Sequence, residues 1–145
     1  MGIDKFVYRE HARAPRGKLV FGEVSGKKYK RANIVAGRSN DGVLHAPMQY
    51  QCSTDSILFE AWFERYFLPS LPQERVIIMD NASFHRKKIL REIISGTGHE
   101  LIFLPAYSPD LNPIENFWSW LKRKLRKILK EYDSFDDALS ACFEV

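Results

Sequence analysis

RVIIMDNASFH, residues 75–85, and LPAYSPDLNPIENFWSWLKRKLRK, residues 104–127, decide how the chain is read. Arg75 to Met79 is a short apolar run rich in β-branched residues, which predicts a buried strand. Asp80 follows where that strand must stop, so a lone carboxylate stands at a strand's C-terminal mouth. Asn112, Pro113, Ile114 and Glu115 form a helix start, with Asn as N-cap, Pro at the first helical position and Glu at the third. Glu115 is then held in a first helical turn. Residues 81–114, thirty-four in all, separate the two acids. That length holds one helix (about Arg86 to Ser95), a return strand (about Glu100 to Leu104) and a Pro-rich loop. The arrangement can bring Asp80 and Glu115 together at one edge of a sheet.

Working outward, Met1 to Gly17 reads as irregular and basic, with a strand remnant at Phe6 to Tyr8. Lys18 to Val24 and Tyr29 to Ala36 are β-rich runs joined by a hairpin at Ser25-Gly26-Lys27-Lys28, and Asn40-Asp41-Gly42 is a turn leading to a strand from about Val43 to Tyr50. An antiparallel meander is the expected result. Ser53 or Thr54 is expected to cap a helix with Ile57, Leu58, Ala61, Trp62 and Tyr66 on one face, ended by Pro69 and Pro72. Beyond the central stretch, Ile114, Phe117, Trp118, Leu121, Leu125 and Ile128 recur at helical spacing and predict a core stripe. Asp133 or Ser134 opens a last amphipathic helix containing Phe135, Ala138, Leu139 and Cys142.

The chain is one α/β domain's worth of residues, 145, and its hydrophobic share of 45% supports a core. No segment approaches the ~20 apolar residues of a membrane span, and no apolar leader is present, so a soluble, cytoplasmic protein is expected. Cys52 and Cys142, without a CxxC, predict two buried thiols rather than a zinc site or a disulfide scaffold. The net charge of +4 hides blocks: residues 1–38 carry ten Lys/Arg against three acids, and 81–130 ten against four, while the intervening and final segments are net acidic. Two basic blocks flanking a carboxylate pair suit a polyanion.

MDNASFH around Asp80, LPAYSPDLNPIE ending on Glu115, the spacing between them, the aromatic and basic helix that follows and REHARAPRG at residues 9–17 closely resemble the catalytic core of the DDE transposases. The nearest branch is the mariner-related family of bacterial insertion-sequence transposases. The resemblance implies a ribonuclease H-like fold, a mixed sheet flanked by helices, and an acidic triad that binds Mg²⁺ or Mn²⁺ for DNA hydrolysis and strand transfer at transposon ends. Asp80 and Glu115 match its second and third members, and oxygen donors of this kind suit a hard divalent ion. The family's first Asp lies in a D-E-(S/T)-G stretch of which only Gly2 is present here. The expectation is therefore a single domain, 1–145, without its upstream helix-turn-helix, with the first, central strand largely missing and little or no activity by itself.

Each candidate residue also has a plainer reading. Asp80 could cap the turn after its strand, and Glu115 its own helix. Asn81 and His85 could contact DNA, support the metal site, or be a helix-entry cap and a surface imidazole. Asp110 reads as a turn residue. Lys122, Arg123, Lys124, Arg126 and Lys127 are placed to grip phosphates without reading sequence, or form a solvated face. The expected partners are DNA, both transposon end and target, and either a second copy or the upstream part of the transposase, on the bacterial nucleoid. Two other readings stay open: a non-catalytic DNA-binding remnant, and another ribonuclease H-like nuclease.

Overall fold

Asn40-Asp41-Gly42 reverses the chain. The Asp41 carboxylate accepts from the Ser39 hydroxyl (2.7 Å) and the Val43 amide (3.1 Å), and Gly42 takes a φ of 90° that a side chain would oppose. The structure, a computed structural model, describes residues 2–4 and 31–144. The strands expected at 6–8 and 18–24, the hairpin at 25–28 and the start of the 29–36 run lie outside those residues.

The turn joins β2 (Arg31–Arg38) to β3 (Leu44–Tyr50), and β1 (Gly2–Asp4) lies antiparallel on the other side of β2, with Gly2 opposite Asn33. Between the Val35–Met48 and Gly37–His45 pairs the β3 side carries one extra residue, a bulge in which Ala46 takes a left-handed φ of 48°. The Trp62 indole donates to the Ala46 carbonyl at 2.8 Å, so the bulge keeps a hydrogen-bond partner.

β4 (Val76–Met79) and β5 (Glu100–Phe103) form a separate two-stranded parallel sheet. It is extended at both ends, by the Glu100 amide to the Arg75 carbonyl (3.0 Å) and the Leu104 amide to the Met79 carbonyl (2.9 Å). The expected strand and return strand are therefore present, joined by α3 (Lys87–Ile94). The fold is mixed α/β with two small sheets, not one continuous sheet, among the described residues. β4 is also buried on one face only. Ile77 and Met79 are covered, whereas Val76 and Ile78 are about half exposed, at 55% and 49%.

Two apolar clusters cover opposite faces of β2, following the alternation of a strand. Val35 packs with the helical stretch 56–70 and α3, Ile34 and Ala36 with α4 (Ile114–Ile128) and α5 (Phe135–Phe143). Trp118, Leu121 and Leu125 bury the expected α4 stripe, and Ser134 caps α5, its hydroxyl accepting from the Asp136 amide. No helix among the described residues is long and apolar enough to cross a membrane.

The first helix departs most from expectation. Asp55, not Ser53 or Thr54, caps α1 (Ser56–Trp62), accepting the Leu58 amide at 2.8 Å. Helical structure runs on through a wide turn, Phe63–Phe67, and a short turn, α2 (Leu68–Ser70), so Pro69 sits inside it rather than ending it. The covered side chains are Phe59, Trp62, Phe63 and Phe67, while Ile57 and Tyr66 face solvent. Trp62 of the expected stripe is covered, but Phe59, Phe63 and Phe67 remove more apolar area beside it than Ile57, Leu58 and Ala61 would, and the wide turn at Phe63–Phe67 rotates Phe67 onto the same side as Phe63. Cys142 is buried as expected; Cys52 is exposed, because the segment after β3 leaves the sheet.

Phe67 lies against Gly37. A Cβ at Gly37 would stand 2.1 Å from the Phe67 ring edge, inside both atoms' radii. Gly37→Ala is expected to destabilise the fold by roughly 1–3 kcal/mol, the usual cost of overpacking. Phe67→Leu, costly alone, should recover part of that loss in the double variant. Additive losses in denaturant midpoints would show that the contact is not what excludes a side chain there.

Candidate active site

Asp80 is placed by the end of β4, where the ladder closes with the Leu104 amide on the Met79 carbonyl. Its side chain is held by the turn that follows. The Ala82 amide donates to Oδ1 at 3.3 Å, and the His85 ring nitrogen Nδ1 lies 3.2 Å from Oδ1 and 3.0 Å from the Asp80 main-chain carbonyl. The His85 amide in turn bonds the Ala82 carbonyl at 3.0 Å, which closes the 80–85 loop on itself. The His85 side chain is 6% exposed and the Asp80 carboxylate 49%. The imidazole therefore lies under the acid, while the acid faces open space.

The His85 ring is packed between Phe59 (4.4 Å between centroids) and Phe84 (4.5 Å, edge-on). The neighbouring Arg86 reaches Glu60 with both ends of its guanidinium, Nε to Oε1 at 2.7 Å and Nη2 to Oε2 at 2.6 Å. The loop after Asp80 is thus fastened to α1 by a ring contact and a bidentate ion pair.

Glu115 enters from the first turn of α4. Asn112 prepares that turn: its side-chain oxygen accepts the Ile114 amide (3.4 Å) and its carbonyl the Glu115 amide (3.1 Å). Asp110 lies in the 3₁₀ turn Pro109–Leu111 that leads in. Glu115 and Asp80 line the same cavity, of about 1010 Å³, which runs between the 33–38 stretch of β2 and the 76–79 stretch of β4. His85, Asn112 and Lys122 line it as well. The structure thus brings the two acids singled out in the sequence to one cavity from elements thirty-four residues apart.

The basic residues divide. Lys122 is on the cavity wall, while Arg123, Arg126 and Lys127 are exposed on α4. Lys124 is occupied otherwise: its ammonium donates to the Cys142 carbonyl at 3.2 Å and lies 5.2 Å from the Trp120 ring centroid, joining α4 to the end of α5. Asn81 is exposed beside Asp80. The α4–α5 tie was not legible in the sequence, since it does not follow from spacing along one element; of the readings offered for His85, the surface imidazole is ruled out by a side chain 6% exposed.

The hydrogen bond from His85 holds the Asp80 carboxyl below the ordinary carboxylate range, against the partial burial that pushes it up. A carboxyl whose native pKa lies below its unfolded value contributes stability above the unfolded value, about 3.9, and loses it as pH falls through the native one. The parent chain should therefore exceed Asp80→Asn in urea-unfolding free energy by a margin that shrinks as pH drops below about 4. At this exposure the margin is under about 1 kcal/mol. A margin constant from pH 7 to 3 would contradict it.

Carboxylates from a strand end and a helix start share a cavity in a mixed α/β domain, and carboxylate oxygens are donors of the kind a hard divalent cation takes. The donor set is short, since among the described residues no group of three His, Cys, Asp or Glu is placed to hold a metal ion. A family profile described as DDE superfamily endonuclease matches residues 1–138, and the chain belongs to that superfamily. It is also similar to an uncharacterized protein of Sinorhizobium fredii, y4pE/y4sA, at 38% identity over 60 residues. That similarity spans 40% of this chain and 42% of the relative, less than half of each.

Proposed function

We propose that this chain is the catalytic-core part of a mariner-related insertion-sequence transposase with a ribonuclease H-like fold, acting on DNA at transposon ends. The observation that carries the reading is the meeting of Asp80 and Glu115 on one cavity in a DDE superfamily endonuclease domain. Asp80 and Glu115 would hold Mg²⁺ or Mn²⁺, which supplies activation of an attacking oxygen and stabilisation of the leaving one. Asp80 offers one fixed and one open oxygen, Glu115 an exposed carboxylate on a first helical turn, and Lys122 a cation on the wall of the same cavity. Arg123, Arg126 and Lys127 continue outward along α4 as phosphate contacts that position DNA.

In this reading the central strand that carries the first Asp of the triad is represented among the described residues by β1 alone, and its continuation ahead of Gly2 would lie between β2 and β4. Three observations among the described residues fit a further strand between β2 and β4. The cavity runs between those two strands, Val76 and Ile78 are half exposed on its wall, and Arg75 Nε, of a residue also on its wall, is buried without a hydrogen-bond partner among the described residues. An inserted strand would cover the first two and offer the last a carbonyl.

A second reading has its own support in the short donor set: a DNA-binding remnant that keeps the basic helix and has lost the metal centre. Binding and cleavage of linear DNA by the 145-residue chain, with Mg²⁺, Mn²⁺ or EDTA, separate the two. The transposase-core reading expects binding strengthened by metal and weakened by Asp80→Asn, with little cleavage. Binding that falls with salt but is indifferent to EDTA and to Asp80→Asn supports the remnant and overturns the first reading.

A further inference from the structure

We infer that His85 is a positioning residue for Asp80, fixing the carboxylate in the one orientation that turns its second oxygen into the cavity shared with Glu115. The inference rests on the proposed role of Asp80 and concerns how that role is prepared.

The geometry decides the proton. A main-chain carbonyl only accepts, so the 3.0 Å contact to the Asp80 carbonyl requires the hydrogen to be on Nδ1 of His85. The same N–H is shared with Asp80 Oδ1 at 3.2 Å. Both acceptors belong to one residue, so a single donor ties the side chain of Asp80 to its own backbone and removes freedom about its Cα–Cβ bond. The Ala82 amide adds a second donor to the same Oδ1. Among the described residues Oδ2 takes no hydrogen bond, which leaves it open to a ligand on a residue that lines the cavity.

The imidazole can act this way because it cannot move. Phe59 and Phe84 pack against its ring, and Phe59 belongs to the main apolar cluster beneath β2. Arg86, next in sequence, is tied to Glu60 on the same helix as Phe59. A chain of contacts therefore runs from the core through His85 to the acid. A nearly covered side chain of this kind is poorly placed to touch DNA, whereas second-layer donors that orient a ligating carboxylate commonly matter tenfold or more for metal affinity.

Three measurements test it, the first on the parent chain alone. Long-range ¹H–¹⁵N spectra at pH 8 should show His85 as the Nδ1–H tautomer; an Nε2–H tautomer overturns the proposal. Three-bond couplings to Asp80 Cγ should report a single side-chain rotamer in the parent. In His85→Phe, which keeps a ring between Phe59 and Phe84 but has no donor, they should report averaging among rotamers. His85→Asn, which keeps a donor near the Nδ1 position, should restore the single rotamer even if the fold is less stable. An Asp80 side chain equally fixed in His85→Phe overturns the inference. In the third, Mn²⁺ affinity should fall about tenfold in His85→Phe and stay within about threefold in His85→Asn. Mn²⁺ binding identical in the parent and in Asp80→Asn overturns the metal role of Asp80 instead, so the two failures are distinguishable.

Discussion

A chain in which Asp-Glu-Ser stands directly ahead of Gly2 in an extended segment is expected to cleave DNA with Mg²⁺ or Mn²⁺ where the 145-residue chain does not. Asp80→Asn or Glu115→Gln in that extended chain should abolish the gain. The register of β1 locates the effect. Gly2 lies opposite Asn33 and Ile3 opposite Ala32, so residues continued ahead of Gly2 would run along β2 toward Arg38. An Asp three positions ahead of Gly2 falls opposite Ala36, on a strand that lines the same cavity as Asp80 and Glu115. A third carboxylate there would complete the donor set that two leave short. Losing a metal ligand removes several kcal/mol of charge stabilisation, and at about 1.4 kcal/mol per factor of ten that is a thousandfold or more in rate. The same extension should raise the denaturant midpoint, because it pairs backbone groups and covers Val76 and Ile78. Stabilisation without cleavage would keep the strand position and end the triad. Neither effect would end the assignment of that cavity to a strand.

Local chemistry made part of this architecture legible. A β-branched run that stops at an acid, and Asn-Pro-Ile-Glu before an apolar periodicity, each have one economical structure. β4 and the start of α4 appear within a residue or two of where the sequence puts them. What the sequence left out are contacts between elements distant in the chain. His85 follows Asp80 by five residues, yet it reaches the acid only because Phe59 and Phe84 hold its ring, and Phe59 comes from α1. Lys124 reads as one more cation in a basic run until α5 brings the Cys142 carbonyl to its ammonium. Cys52 has the polarity of a core residue and lies outside the core, past the end of β3, where its carbonyl accepts from the Asn33 side-chain amide at 2.9 Å. Propensity and periodicity describe single elements, and these features belong to pairs of them.

Phe63→Ala should produce the largest loss of stability of any single truncation in the α1 region, and Ile57→Ala almost none. Phe63 is fully covered, and its ring stacks between those of Phe59 (6.1 Å) and Phe67 (5.6 Å). Its removal leaves a cavity bounded by rigid rings that cannot collapse readily, so a cost of roughly 3–5 kcal/mol is expected. A small domain holds about 5–15 kcal/mol in all, so that loss would bring the chain close to unfolding. Ile57 is 74% exposed, and its truncation should stay within about 0.5 kcal/mol. The pair discriminates between two ways of burying one helix: the stripe expected from the sequence, through Ile57 and Tyr66, or the ring stack through Phe59, Phe63 and Phe67. The loss at Phe63 should also reach the acid site, since Phe59 leans on both Phe63 and the His85 ring. Urea denaturation of the two variants decides it, and equal midpoint shifts would favour the stripe through Ile57 and Tyr66. A large shift at Phe63 with an unchanged Asp80 side-chain rotamer would confine Phe63 to the core and separate it from the acid.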